Sequence, residues 1–201
     1  MVQDLALEMT LIELISSRIC HDLVGPVGAV NAGAELMGED GVADDEALAL
    51  MRKSGLEAAR RLQLFRLAFG RAGNSVDTKS MRDAVRQTYD AEGKVNLDWP
   101  DLPIDPAHGR VVLNMVMLAR EALPFGGKIA VSHESGRTTV LAEGKRAAFR
   151  PEVMAVLEKD VAADGLDPRT VHGFFVLNLA NRTGGELSVL QQEANIALIY
   201  G

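Results

Sequence analysis

The sequence predicts an α+β fold: an N-terminal helical hairpin that pairs with a second copy as a dimeric four-helix bundle, then a C-terminal α/β sandwich. Three observations predict it. Up to residue 70, apolar side chains recur at alternating three- and four-residue spacing, with no strand-like alternation. A small, polar stretch, GRAGNSVD at 70–77, breaks that pattern. Beyond it, helical and β-branched segments alternate to the C-terminus. Residues 1–72 are therefore expected to form the hairpin and 77–201 the sandwich.

In a helical projection of the first segment, Leu5, Met9, Ile12, Ile19, Leu23, Val27, Val30, Ala34 and Met37 gather on one side. Gly38 and Gly41 suit the end of that helix and the turn, and Asp44 or Asp45 suits the next N-cap. The second helix repeats the stripe with Leu48, Met51, Gly55, Ala58, Leu62, Phe65 and Phe69. Two helices cannot bury both stripes. A symmetric dimer supplies the missing pair, with cover by the C-terminal half as the alternative.

After the linker, a helix is expected over 79–91 and a strand at KVNLDW, with Trp99 packing at its end. AHGRVVLNMVMLAREAL reads as a helix stopped by Pro124 and Gly126, and KIAVSHE and TTVLAE as strands paired around SGR. Pro151 opens the helix PEVMAVLEKDVA. A longer helix follows through DPRTVHGFFVLNLANRTGG, closed by two glycines, and ELSVLQQEANIALIY closes the fold as a hairpin.

The formal net charge of −7 disfavours a nucleic-acid partner. No apolar run approaches the ~20 residues of a membrane span. The opening MVQDLALEM has acids where a secretory leader has lysine or arginine, and the lone Cys20 permits no internal disulfide. A cytoplasmic protein without membrane contact is expected. Basic residues crowd one segment, Arg52, Lys53, Arg60, Arg61, Arg66 and Arg71, where a solvated helix face is the simplest account.

The segment ISSRICHDLVGPVGAVNAGAELM carries the chemistry. Pro26 and three glycines weaken a helix around one histidine, at roughly 3 and 1 kcal/mol each against alanine. Ser17, Gly25, Gly28 and Ala32 share the face of His21, opposite the apolar stripe, and clear the approach to its ring. Pro26 has no N–H, so the carbonyl of Asp22 loses its helical donor and the helix is expected to bend there. No serine or cysteine stands where a triad would need it, and no further metal ligands flank His21 at helical spacing. Cys20 points toward the buried side as a small hydrophobe. What remains is a nucleophilic imidazole for a group brought by a partner. Asp22 can bond Nδ1–H, leaving Nε2 free, and Arg60 or Arg61 of the facing helix can help neutralise an incoming phosphoryl group. His108, His133 and His172 share no motif and read as structural.

CHDLVGPVGAV resembles the H-box of histidine kinases, and with NRTGGELSV it is similar to the ChpT-type histidine phosphotransferases over nearly the whole chain. The resemblance implies that the C-terminal half is a sandwich like a histidine kinase ATP-binding domain. Its nucleotide motifs are degraded. VLNMVMLAREAL keeps Asn114 but has Leu118 for the second magnesium-binding asparagine. LAEGKRAAF has Ala142 for the adenine-reading aspartate and Arg146 for a glycine, and HGFFVL keeps Gly173 alone. A homodimeric phosphoryl carrier that needs no cofactor of its own is implied. It takes a phosphoryl group from the receiver aspartate of a hybrid kinase onto His21, beside Asp22, and passes it to response regulators, with Mg²⁺ on the receiver only. Ser17, Arg18, Gly25, Gly28, Ala32, Arg60 and Arg61 are the expected receiver-docking residues. An atypical ATP-dependent kinase and a non-catalytic dimeric scaffold are the competing readings.

Overall fold

Helices α1 (Val2–Gly38) and α2 (Asp45–Ala68) pack antiparallel as the hairpin in a computed structural model that describes residues 2–38, 45–70, 77–159 and 165–201. Gly41, Asp44 and Arg71, which the sequence assigns to the turn, the cap and the basic segment, lie outside the described residues. The seam between the helices uses small residues. Pro26 and Gly33 of α1 are buried, as are Ala47 and Ser54 of α2. A Cβ on Gly33 would collide with the side chain of Met51, so this glycine is where the two backbones come closest.

That choice rotates the seam away from the expected stripe. Ile19 and Leu23 pack on the C-terminal core, but Met9, Ile12 and Val27 are exposed, with Ile12 at 59% and Val27 at 55%. On α2, Leu48 and Leu62 are exposed as well. Cys20 is also exposed, contrary to the expectation, because it stands on this uncovered side of α1. Helix α1 runs on through Pro26 to Gly38.

The last turns of α2 enter the main core through Leu64, Phe65, Leu67 and Ala68, so the hairpin is seated on the C-terminal half. Asp77 caps α3 (Thr78–Glu92): its carboxylate accepts the Ser80 N–H at 2.6 Å, which holds its pKa below the ordinary value. Then follow β1 (Val95–Asp98), α4 (Pro106–Glu121), β2 (Gly127–Glu134), β3 (Arg137–Glu143), α5 (Pro151–Leu157), α6 (Val171–Arg182), β4 (Leu187–Gln192) and β5 (Asn195–Tyr200). The sheet order is β1-β2-β3-β5-β4, parallel only between β1 and β2. The β2–β3 turn has positive φ at Ser135 and Gly136, as a two-residue hairpin turn requires.

Helix α4 lies across β2, β3 and β5 and is buried along most of its length, with Val111, Val112, Leu113, Met115, Val116 and Leu118 at 0% exposure. This near-continuous burial explains a helix that is hydrophobic on almost every side: α2 and α3 cover the faces the sheet does not. Trp99 is fully buried at the end of β1, as its position suggests. The expected helix from Pro151 is shorter, ending at Leu157, and the one through VHGFFVL starts at Val171, because Asp167 holds 167–170 in a turn.

Candidate functional site

His21 stands in the middle of α1 with 87% of its side chain exposed. Its Nδ1 lies 3.2 Å from Oδ1 of Asp22. An ionised carboxylate only accepts, so Nδ1 carries the proton and the Nε2 lone pair faces outward. Around the ring, Gly25, Gly28 and Ala32 are all exposed, and a Cβ added to Gly25 or Gly28 would meet nothing within 4 Å. These glycines are not there for packing within the chain. They leave one side of the helix bare from Ser17 to Ala32.

The proline's cost is met at the backbone. With no N–H at Pro26, the Asp22 carbonyl lacks its helical donor, and Arg61 of α2 supplies one from Nη1 at 2.7 Å. The other Nη of Arg61 pairs with Glu57 at 2.6 Å. Arg61 therefore holds the back of the His21 turn and does not face the imidazole. Arg60, the other arginine expected there, opens onto a separate cleft with Lys53 and Lys94.

His21 lies on the rim of a cleft of about 740 Å³ between α1 and the C-terminal half. Ser17, Arg18, His21 and Asp22 form one wall, and Phe149, Arg150, Val153, Pro168 and Arg169 the other. The cationic groups facing the histidine across this space are Arg150 and Arg169, which no local pattern in the sequence distinguishes. Asp167, beside them, accepts the Thr170 and Arg169 N–H groups at 2.8 Å each. Burial raises its pKa and those bonds lower it, and the bonds win.

A polar chain ties this cleft to the core. Arg18 Nη2 donates to Glu121 Oε1 at 2.6 Å, and His172 Nδ1 meets the same oxygen at 2.7 Å. On its other side, His172 Nε2 is 3.1 Å from Oδ1 of Asn114. The Asn114 amide donates to the carbonyls of Ala68 and Arg110. Arg18 thus anchors α1 while lining the cleft, and Asn114 has its polar atoms engaged within the protein. His172, fully buried against Phe69, is the centre of the chain and was invisible to pattern reading, since its partners lie 51 and 58 residues away.

Burial pulls the His172 pKa below its ordinary 6.5, with Glu121 opposing the shift. Burial would raise Glu121, but the bonds from His172 and Arg18 hold it below 4.5. The unfolded chain therefore binds more protons than the folded one as pH falls, first at His172 below 6.5, then at Glu121 below 4.5 and Asp167 below 3.8. The stability these groups contribute is complete above those values and is lost in acid. Thermal melts are expected to be flat above pH 7 and to fall progressively below it, with a shallower fall below pH 4.5 for Glu121→Gln.

The helical hairpin thus presents an exposed histidine beside an α/β layer. The family model of the histidine phosphotransferase C-terminal domain matches residues 78–195, and the chain belongs to that family. It is 32% identical over 185 residues, 88% of each chain, to the protein phosphotransferase ChpT of Brucella abortus (strain 2308). A bacterial phosphotransferase solved at 1.7 Å superimposes with a TM-score of 0.83 and 30% identity over 96% of both chains. Among the described residues, no helix is long and apolar enough to cross a membrane.

Proposed function

We propose that this phosphotransferase works as a cytoplasmic phosphorelay carrier whose acceptor is His21. The observation that carries the reading is the outward Nε2 of an exposed ring whose Nδ1 is held by Asp22. Nε2 attacks the phosphorus of an aspartyl phosphate on a receiver domain of a hybrid kinase. The N–P bond forms as the acyl O–P bond breaks, and the aspartate leaves as its carboxylate. The ring keeps its proton on Nδ1 against Asp22, which balances the imidazolium charge. Transfer to a response regulator is the reverse step.

In this reading residues 1–72 present the histidine, and 77–201 form the second wall of the docking cleft. A receiver seats on the bare face of Ser17, Gly25, Gly28 and Ala32, with Arg150 and Arg169 near the phosphoryl group. Arg60 and Arg61 are not carried into that surface, since one opens elsewhere and the other is bound to Asp22 and Glu57. The engaged polar atoms of Asn114, together with Ala142 and Arg146 in the degraded glycine box, support a carrier that does not use ATP. Incubation with a phosphorylated receiver is expected to label the protein, and ATP with Mg²⁺ alone is expected not to; label from ATP alone would sink the reading.

Gly28 separates the docking role from a structural one. Gly28→Leu puts a good helix former where glycine costs about 1 kcal/mol, so the melting temperature should rise by about 2–4 °C. A leucine there also obstructs the receiver, and transfer should slow at least tenfold. A stabilised variant with undiminished transfer would remove this face from the docking surface.

The exposed Met9, Ile12 and Val27 support the homodimer, since their row lies on the side of α1 turned away from α2 and the core. Sedimentation at micromolar concentration is expected to give a dimer that Ile12→Glu with Val27→Glu converts to a monomer of unchanged helicity. A wild-type monomer would contradict this.

A further inference from the structure

A second cleft, of about 540 Å³, opens between α2 and the α3–α4 side of the C-terminal half. Five cationic side chains converge on it from three parts of the chain: Lys53, Arg60 and Arg61 from α2, Lys94 from the turn before β1, and Arg120 from the end of α4. Among the described residues one carboxylate, Glu57, shares the space, and it already pairs with Arg61. Lys53, Arg60 and Lys94 have no ion pair among the described residues. In a chain of net charge −7, this gathers five of its 21 lysines and arginines around one concavity. Like charges held together repel, and fixed dispersal over three elements prevents them from moving apart. A bound anion relieves that repulsion.

The cleft's shape narrows the ligand. Its volume is in the small-molecule range, and the cations line its walls rather than spread over a flat face. Among the described residues no aromatic ring lines it to stack a base, and no apolar side chain lines it to anchor a peptide. Arginine forks match the geometry of phosphate oxygens. We propose that this cleft is a binding site for an oligophosphate anion, read by its charge rather than by any attached base.

The site is not isolated. A crevice of about 210 Å³ shares Arg61 and Arg120 with it, and shares Arg18, Asp22 and Glu121 with the His21 cleft. Arg61 lines the basic cleft while its Nη1 donates to the Asp22 carbonyl, so an anion that draws in its guanidinium also pulls on that bond. Occupancy therefore alters the turn that carries His21.

Inorganic tripolyphosphate titrated into the full-length chain at low ionic strength, with calorimetry against sodium chloride of matched ionic strength, tests the site. One saturable site is expected, weakening as salt rises. Lys53→Gln with Arg60→Gln should weaken it at least about tenfold without lowering the anion-free melting temperature. Adenosine triphosphate should bind no tighter than tripolyphosphate and be lost in the same variant. Ring resonances of His21 should shift during the titration, a readout that does not depend on whether His21 is the phosphoryl acceptor. No saturable binding, binding that survives the double variant, nucleotide binding without tripolyphosphate binding, or an acidic peptide of equal charge binding as tightly would each overturn the assignment. A silent His21 ring would overturn the link through Arg61.

Discussion

Replacing His21 with alanine is expected to abolish phosphoryl acceptance from a phosphorylated receiver while leaving the fold intact. The loss is complete rather than graded, because the substitution deletes the nucleophile itself and no other histidine is placed to substitute. His172 is fully buried, His133 is tied to the hydroxyl of Thr138 at 2.9 Å, and His108 packs edge-on against the Tyr200 ring, none of them lining the His21 cleft. The stability effect is small for an equally physical reason. The ring is 87% exposed and makes a single 3.2 Å bond to its neighbour. A change within about 0.5 kcal/mol is expected, with alanine's better helix propensity offsetting what is lost. Gel labelling and a thermal melt on the same preparation check both halves. Label persisting on the variant would move the acceptor elsewhere.

The second large effect falls on stability. His172→Ala removes a fully buried ring that fills the space between Glu121, Asn114 and Phe69. It removes the ring that bridges Glu121 Oε1 and Asn114 Oδ1, so one of these two acceptors loses its donor, and it opens a cavity. These costs together come to about 3–5 kcal/mol, or a fall of roughly 10 °C in melting temperature for a chain of this size. Glu121→Gln should cost less, about 2–3 kcal/mol, since Arg18 and His172 lose the charge they face but keep an acceptor. The exposed pair of Lys159 with Glu186, equally short at 2.7 Å, is a useful control: solvent screens it, and its removal should leave the melting temperature nearly unchanged. If all three variants melted alike, the chain from Arg18 to Asn114 would not be holding α1 on the core.

The sequence and the structure part company where interactions are long in sequence. The hairpin, the strand pairs and most helix boundaries are legible because periodicity, prolines and glycines are local signals. His21 and its cleared face are legible for the same reason, as is the orphaned Asp22 carbonyl that Pro26 creates. What answers that carbonyl is not: Arg61 looks like one more member of a basic run until α2 folds back and places it 2.7 Å away. The seam inside the hairpin is not legible in a projection, which weighs large apolar side chains, whereas the two helices meet at Gly33, Pro26 and Ala47 and leave Met9, Ile12 and Val27 outside. Arg150, Arg169, Glu121 and His172 carry no local mark, and only the packing of α4 and α6 behind α1 brings them to the site.

Asn114, the residue that the resemblance to a nucleotide motif singles out, has its polar atoms bound inside the protein. Residues of that type at that position suit a metal ligand, but here its amide bridges the end of α2, α4 and His172. Its hydrogen bonds now serve the seating of the hairpin, and through Arg18 they reach the helix turn just before His21.

Phosphorus NMR of the protein after transfer from a phosphorylated receiver puts the geometry at His21 to its sharpest test. With Nδ1 held by Asp22, one phosphohistidine resonance is expected, that of the Nε2 isomer, absent from His21→Ala. A resonance of the Nδ1 isomer, or a phosphohistidine surviving in that variant, would contradict the assignment of Nε2 as the group that takes the phosphoryl.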